Sequence, residues 1–281
     1  MKIARTVAEV RAARATLGRL GFVPTMGALH DGHMSLMAAA RDGCDAVAAS
    51  IFVNPTQFGP NEDLSRYPRP IEADIARLEA AGVEMLFLPT VDIVYPHGFD
   101  TRIEVGAIAN RLEGAVRPGH FSGVATVVNK LFNIVAPDVA WFGQKDVQQT
   151  RVILQMVRDL DLPVEIRIGA TLREADGLAL SSRNVYLSAG DRAEAVALYR
   201  GLAAAEAAWA GGEARTATLR SLIATEIATT GGVVDYISIA DGDTLEELDA
   251  VPDAGAVMSL AVRYGTTRLI DNLVLAPRAA R

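Results

Sequence analysis

Residues 20–53 read LGFVPTMGALHDGHMSLMAAARDGCDAVAASIFV, and the alternation inside that stretch decides the fold. Residues 20–24 are a short apolar strand, and residues 25–33 a glycine-bearing turn. Residues 34–42 have helical spacing, with Met34, Met37 and Ala38 inward and Gly43 as the stop. Residues 45–53 are continuously apolar, as strands covered on both faces of a parallel sheet are. The pattern repeats outward. Residues 71–81 are an amphipathic helix through Ile71, Ile75 and Leu78 that ends at Gly82, and residues 83–88 are a strand. Residues 123–135 are helical, 139–142 a short strand, 147–160 a helix and 164–168 a strand. Strand and helix in strict alternation predict an α/β fold, a Rossmann-like doubly wound parallel sheet. Ahead of it, Ile3, Val7, Val10 and Leu17 follow helical spacing, which predicts a first helix.

The character changes after about residue 171. Residues 191–210 and 214–229 read as alanine-rich helices, and 233–239, 256–262 and 268–274 as strands. Without strict alternation these predict a smaller C-terminal α+β domain. The expected division is 1–171 and 172–281, with the turn at 174–177 as a hinge.

Composition excludes several classes. Of 281 residues, 34 are acidic and 27 are Lys or Arg, a net charge of −7. That argues against a surface that coats nucleic acid, though not against a local basic pocket. The single cysteine, Cys44, rules out an intrachain disulfide framework and a multi-cysteine metal site, and it fits a reducing compartment. Its ordinary role is that of a small, half-buried residue. The N-terminus lacks the unbroken apolar stretch of a signal peptide, and no window approaches the ~20 apolar residues of a membrane span. The expectation is a soluble, cytoplasmic protein with no membrane and no nucleic-acid partner.

The strongest chemical signal is the turn from Pro24 to His33, directly after the first sheet strand and before a helix. Ligands bind at such crevices in open α/β sheets. A helix N-terminus offers peptide N–H groups and partial positive charge to a phosphate, and Gly27 and Gly32 allow close approach. His30 and His33, three apart, can face one phosphate and stabilise charge that develops only in the transition state. Two surface histidines beside a turn are the ordinary alternative. Gly143-Gln144-Lys145-Asp146 and the following Gln149 again join a strand to a helix. A lysine at a helix start opposes the helix dipole and makes better sense facing phosphate, whereas Asp146 could simply cap the helix. Ser181-Ser182-Arg183 places two hydroxyls beside a guanidinium, which suits an anion or an ordinary loop. Asn54 and Gln57 are neutral amides at a strand end, suited to a substrate with hydroxyls and a carboxylate. Arg117 could meet an anion, and His120 could cap the helix after it. Neither a GxxxxGK[ST] loop nor a GxGxxG fingerprint follows a strand.

PTMGALHDGH (24–33), FVNPTQF (52–58), GQKDVQQ (143–149) and DGLALSSRNVYL (176–187) occur in the order and spacing of one family, with RPGHFSGVATVVNKLF (117–132) between them and RLIDN (268–272) near the end. The chain resembles the pantothenate synthetase (pantoate–β-alanine ligase) family of the HxGH nucleotidylyl-transferase superfamily. One departure is the segment Ile93-Val94-Tyr95-Pro96, where the resemblance implies methionine before the tyrosine. The resemblance implies an ATP-dependent condensation of (R)-pantoate with β-alanine to pantothenate through a pantoyl adenylate, releasing AMP and pyrophosphate. It implies a homodimer, a nucleotide- and pantoate-binding first domain and a lid-like second one. By the same resemblance His33, His30, Lys145 and Arg183 are the catalytic candidates, with His33 in the position usually named the proton donor. Met26, Gly27, Ala28, Leu29, His30, Asp31, Gly32 and His33 line ATP, as do Gly143, Gln144, Lys145, Asp146, Leu180, Ser181, Ser182 and Arg183, with Leu172 near the adenine. Gln57 and Gln149 hold pantoate, and Gln57 also touches β-alanine. Mg²⁺ accompanies ATP, mostly through phosphate oxygens. Asp74 is the candidate protein contact to it, a solvated first-turn acid being the ordinary role. Attack of a carboxylate on phosphorus needs no proton abstraction, so the two histidines are expected to act by hydrogen bonding. The rival readings are an adenylyltransferase, which would need a cationic acceptor site, and a non-catalytic nucleotide or RNA binder, which the acidic balance disfavours.

Overall fold

The computed structural model describes residues 1–60, 62 and 64–278. These divide into two compact units, one drawn from 1–144 and 148–170 and the other from 145–147 and 171–278. The first unit holds strands β1 (Lys2–Ala4), β2 (Leu20–Thr25), β3 (Ala46–Ile51), β4 (Met85–Phe87), β5 (Val139–Gly143) and β6 (Glu165–Gly169). Between them run helices α1 (Val7–Arg14), α2 (Asp31–Gly43), α3 (Ile71–Ala80), α4 (Val91–Val94), α5 (Leu112–Val116), α6 (His120–Val135) and α7 (Val147–Asp159).

The strands form one parallel sheet in the order β1-β4-β3-β2-β5-β6. From β2 the chain builds outward through β3 to β4, then returns to lay β5 and β6 on the other side of β2. The winding therefore reverses between β2 and β5, where doubly wound sheets bind ligands. The β2–β5 register pairs only Gly21 with Val139 and Phe22 with Ala140. Toward their carboxyl ends these two strands are not laddered to each other, which leaves room there. A continuous apolar cluster seats α2 and α3 on the sheet through Leu36, Met37, Ala40, Leu78, Val47, Ile51 and Trp141. Each fully buried aliphatic side chain of this kind contributes about 1.5–3 kcal/mol.

The expected α/β sheet is present, with two corrections in its frame. Ile3 belongs to an edge strand, not a helix: Lys2–Ala4 pairs with Met85–Phe87. The helix begins at Val7 because Thr6 and Glu9 form a capping box, Glu9 N–H donating to Thr6 Oγ1 (3.3 Å) and Thr6 N–H to Glu9 Oε2 (3.0 Å). Helix α2 starts at Asp31, three residues before Met34, so His33 lies inside its first turn.

In the second unit α8 (Ala189–Glu194), α9 (Ala197–Ala210) and α10 (Thr216–Ile227) accompany an antiparallel sheet of β7 (Val233–Ala240), β8 (Ala256–Tyr264) and β9 (Thr267–Leu275) in the order β7-β8-β9. Leu198, Leu202, Trp209, Leu219 and Ile223 pack with Met258, Leu260 and Val262. The segment expected as one helix over 191–210 is broken between Glu194 and Ala197. The turn at 174–177, expected as a hinge, lies inside the second unit. Glu174 N–H donates to Leu178 O, Gly177 N–H donates to Glu174 O, and Arg192 pairs with both Glu174 (2.6 Å) and Asp176 (2.7 Å), which locks the turn.

That hairpin is tied to β9 by Arg173, whose guanidinium forks onto Asp271 at 2.6 and 3.0 Å and lies over the Tyr199 ring at 4.3 Å. Asp271 is 1% exposed. Removing one member of a buried pair leaves the other charge uncompensated, so Asp271→Ala is expected to destabilise by about 3 kcal/mol. An Arg173→Leu/Asp271→Leu double variant is expected to recover part of that loss. Urea unfolding of the three proteins checks it, and an Asp271→Ala midpoint equal to the parent's would refute it.

Candidate active site

The turn after β2 is built by hydrogen bonds that leave little to chance. Thr25 Oγ1 donates to Ser50 O at 2.7 Å and accepts the Gly27 N–H at 3.1 Å. Gly27 and Ala28 then both take positive φ, +80° and +51°. The Ala28 and Leu29 N–H groups turn inward onto the two oxygens of Asp74, at 2.9 and 2.8 Å. His30 caps α2 in an extended conformation, and the His33 and Met34 N–H groups donate back to its carbonyl. The His30 and His33 rings lie with centroids 4.1 Å apart. The His30 N–H donates to His33 Nδ1 at 3.3 Å. A ring nitrogen that accepts carries no proton, so neutral His33 keeps its proton on Nε2 and can donate from there.

Two expectations change here. Asp74 is not a solvated acid: it is 1% exposed, on the core-facing side of α3. Both of its oxygens accept peptide N–H groups, a structural use of the carboxylate that its reading as a metal contact did not include. Among the described residues no group of three His, Cys, Asp or Glu side chains is arranged to hold a metal ion. The turn also offers phosphate fewer peptide donors than its glycines suggest, because the N–H groups of Gly27, Ala28, Leu29, His30, His33 and Met34 all have partners. Asp31 is exposed and pairs with Arg77 at 3.1 Å.

Gln57 sits in a 3₁₀ turn, Pro55–Gln57, after β3. Its Nε2 contacts Met26 Sδ at 3.3 Å, and its Oε1 accepts from Asn54 Nδ2 at 3.0 Å. Sulfur is a weak acceptor, so that Nε2 is readily redirected to a better one. Both polar atoms of the Asn54 side chain are engaged by protein groups. It is buried, its amide donates to Gln57 and to Gly123 O, and its Oδ1 accepts from Thr56 and from Tyr95 Oη. Gly123 makes this possible, because a Cβ there would lie 2.6 Å from Thr56 O. Gln57 also lines a cavity of about 920 Å³ whose wall includes Tyr95, Arg117, His120 and Ser122.

Arg117 and His120 hold Gln57 from behind. Arg117 forks onto Glu62 at 2.7 and 2.6 Å, so it already has its anion. His120 is the first residue of α6, after Gly119 at the N-cap position, and its ring reaches two partners. Nε2 lies 3.1 Å from Arg117 Nη1, and Nδ1 lies 2.8 Å from Gln57 O. A guanidinium only donates and a carbonyl only accepts, so His120 is the neutral Nδ1–H tautomer. Gly143 ends β5 and Gln144 opens the 3₁₀ turn that follows, and both are half-buried. On α7, Gln148 is buried and bonded to Glu113 N–H and to the carbonyls of Ile108 and Arg111, while Gln149 is half-buried.

In the second unit the other candidates gather on one hairpin and the turn after it. Leu172 is exposed, Leu180 N–H donates to its carbonyl, and Ser181 Oγ accepts the Arg183 N–H at 3.2 Å to start the 3₁₀ turn Ser182–Tyr186. Ser181, Ser182 and Arg183 are half-buried. Lys145 is held here by its backbone: Asn272 Nδ2 donates to Lys145 O at 2.7 Å. Asp146 beside it is exposed. Asp271 and Asn272 thus anchor two candidate segments, a role that only the RLIDN run hinted at.

The model of the pantoate–β-alanine ligase family matches residues 2–274. The chain belongs to that family. The pantothenate synthetase of Chloroflexus aurantiacus is 58% identical over 276 residues, 98% of each chain, and that of Chloroflexus aggregans is 56% identical over 277 residues, 98% of this chain and all of the other. Among solved structures, pantothenate synthetase from Thermus thermophilus superposes with a TM-score of 0.93 at 49% identity, covering 99% of this chain and 100% of that one. The Francisella tularensis ligase, solved in complex with β-γ ATP and β-alanine, superposes with a TM-score of 0.82 at 39% identity, covering 98% and 97%.

Burial, and then the charge of Arg117, push the His120 pKa down from 6.5 to about 4. Between those values the unfolded chain binds a proton that the folded chain refuses, so stability rises with pH across that window. Stability is therefore expected to be full above pH 6.5 and to fall toward pH 4 by up to about 3 kcal/mol. Urea unfolding of the parent and of His120→Asn at steps through that window checks it, and equal pH slopes in the two proteins would refute it.

Proposed function

We propose a two-step course for the ATP-dependent condensation of pantoate with β-alanine that this ligase catalyses. In the first step a carboxylate oxygen of (R)-pantoate attacks the α-phosphorus of ATP, the bond to the bridging oxygen breaks, and pyrophosphate leaves. In the second step the neutral amine of β-alanine attacks the acyl carbon of pantoyl adenylate. AMP leaves and the nitrogen loses a proton, giving pantothenate.

The observation that carries this reading is the fixed histidine pair at the carboxyl end of β2, with His33 held as an Nε2–H donor by the His30 peptide. A preorganised donor aimed at phosphate oxygens stabilises charge that grows in the transition state without reorganising. Hydrogen bonding, not proton transfer, is the role we assign to both rings. Gln57 is the amide we assign to pantoate and to the incoming amine, since its Nε2 now rests on a thioether, and Gln149 is a further pantoate ligand. Residues 26–33, 143–146 and 180–183 with Leu172 are assigned to ATP, and Lys145 and Arg183 to neutralising its phosphates. Mg²⁺ travels on the triphosphate oxygens, as a hard ion that keeps most of its waters does, and no step is assigned to a protein-bound metal. A homodimer and a cytoplasmic location complete the proposal. No helix among the described residues is long and apolar enough to cross a membrane.

Formation of AMP that requires both pantoate and β-alanine tests the activity. Exchange of labelled pyrophosphate into ATP that requires pantoate but not β-alanine tests the intermediate. His33→Ala is expected to lose roughly 10²–10³-fold in exchange rate, the usual effect of removing one transition-state donor, and a variant that exchanges at the parent rate overturns its role. Sedimentation velocity at micromolar protein is expected to report a dimer, and a monomer there overturns the assembly.

A further inference from the structure

We propose that Asp74 is a positioning residue for adenylate formation: it fixes the two peptide groups that lead into His30 and so aims both imidazoles. The inference rests on the ligase reading above and adds a residue that acts through the histidines, not on the substrate.

The geometry has three parts. First, Asp74 is immobile. Its helix is anchored by Leu78, which has no exposed surface, and its own N–H donates to Pro70 O at 2.9 Å. Second, its two oxygens take consecutive N–H groups, those of Ala28 and Leu29, at 2.9 and 2.8 Å. Two such bonds fix the rotation of both peptide planes. They also hold Ala28 at φ +51°, a conformation that costs an L-residue roughly 1–2 kcal/mol. Gly27 precedes it because a Cβ there would sit 2.9 Å from Asp74 Oδ2 and 3.0 Å from Ile51 Cγ2. Third, the same helix grips the turn again one residue beyond His30, where Arg77 donates to Asp31 Oδ1 at 3.1 Å. His30 lies between these two grips, and its N–H in turn sets the tautomer of His33.

The consequence is chemical. The Ala28 and Leu29 N–H groups, which a phosphate-binding turn would point at its ligand, face the protein instead. With fewer peptide donors left in the turn, the imidazole N–H groups carry more of its phosphate recognition, and their aim depends on a carboxylate that touches no substrate.

Asp74→Asn tests this, because it keeps shape and burial but sets an NH₂ group against one of the two peptide N–H donors. Pantoate-dependent exchange is expected to fall about 100-fold, the effect of misplacing a catalytic group by about an ångström. The Mg²⁺ concentration for half-maximal rate is expected to stay at the parent value. The reaction of supplied pantoyl adenylate with β-alanine is expected to stay within about twofold of the parent. Exchange at the parent rate overturns the proposal, and so does a loss cured by added Mg²⁺, which would mark a metal contact. An equal loss in both half-reactions also overturns it, since that would mark a general loss of structure. The imidazole ¹⁵N signals of His33, read without substrate, give an activity-independent arm: an Nε2–H tautomer in the parent and a mixture in Asp74→Asn. Identical tautomers overturn the positioning role even if the parent shows no exchange, which is the outcome that would fail the ligase reading itself.

Discussion

A buried carboxylate that accepts two consecutive peptide N–H groups is the constraint on which the first unit's chemistry rests. Without Asp74, the residues between β2 and α2 would have to place Ala28 in the left-handed region and turn two N–H groups into the core with nothing to receive them. An unsatisfied buried donor costs about 1–3 kcal/mol, so the observed turn would not be the preferred one. With Asp74, the turn has one way to run. His30 is delivered to the N-cap of α2 in an extended conformation, and His33 follows inside the first helical turn. The winding reversal of the sheet supplies the place, and the carboxylate supplies the aim.

The same logic governs the Gln57 side. Asn54, Tyr95, Gly123, Arg117, His120 and Glu62 form a connected polar network around one short turn. Each member constrains the next. Glu62 neutralises Arg117, Arg117 donates to His120 Nε2, and that forces the His120 proton onto Nδ1, where it meets the Gln57 carbonyl. A charged His120 would have two donors facing a guanidinium and a carbonyl, so the network is compatible only with the neutral ring. A fully satisfied network of this kind fixes a single arrangement of its core, and the Gln57 side chain inherits that order.

Much of this is legible in the residues without any coordinates. The alternation of apolar strands with amphipathic helices from Leu20 onward is a long, strongly periodic signal, and the parallel sheet follows it. HDGH after a strand marks the carboxyl edge where the two imidazoles meet. The failures have two causes, one in long-range partners and one in local capping. Ile3 reads as helical by its spacing from Val7, but pairing with β4 is a long-range event that periodicity along the chain cannot register. Helix α2 starts earlier than its apolar stripe, because a helix begins where its cap is and not where its hydrophobic face begins. Asn54, Arg117 and Asp74 each read as surface groups facing a ligand or solvent. Each is instead committed to a partner distant in sequence: Gly123 for Asn54, Glu62 for Arg117, and Ala28 with Leu29 for Asp74. A side chain's chemistry is visible in sequence, but whether its lone pairs and protons are already engaged is not.

That distinction separates the residues that hold from the residues that act. The holders, Asp74, Asn54, Gln148, Asp271 and Asn272, are at most 3% exposed. Among the candidates assigned to substrate, His30, His33, Gln149, Ser182 and Arg183 are half-buried. Burying a polar group is tolerable only when it is satisfied internally, so full burial marks a group whose partners are protein. Half-burial is what a group needs if it is to keep geometry and still exchange a partner for a ligand. Gln57 stands at the border, with 9% of its surface exposed and one amide proton resting on sulfur. It is held nearly as firmly as the holders, yet that proton can leave its present acceptor at little cost. An amide proposed to meet first one substrate and then another at a single place needs both properties.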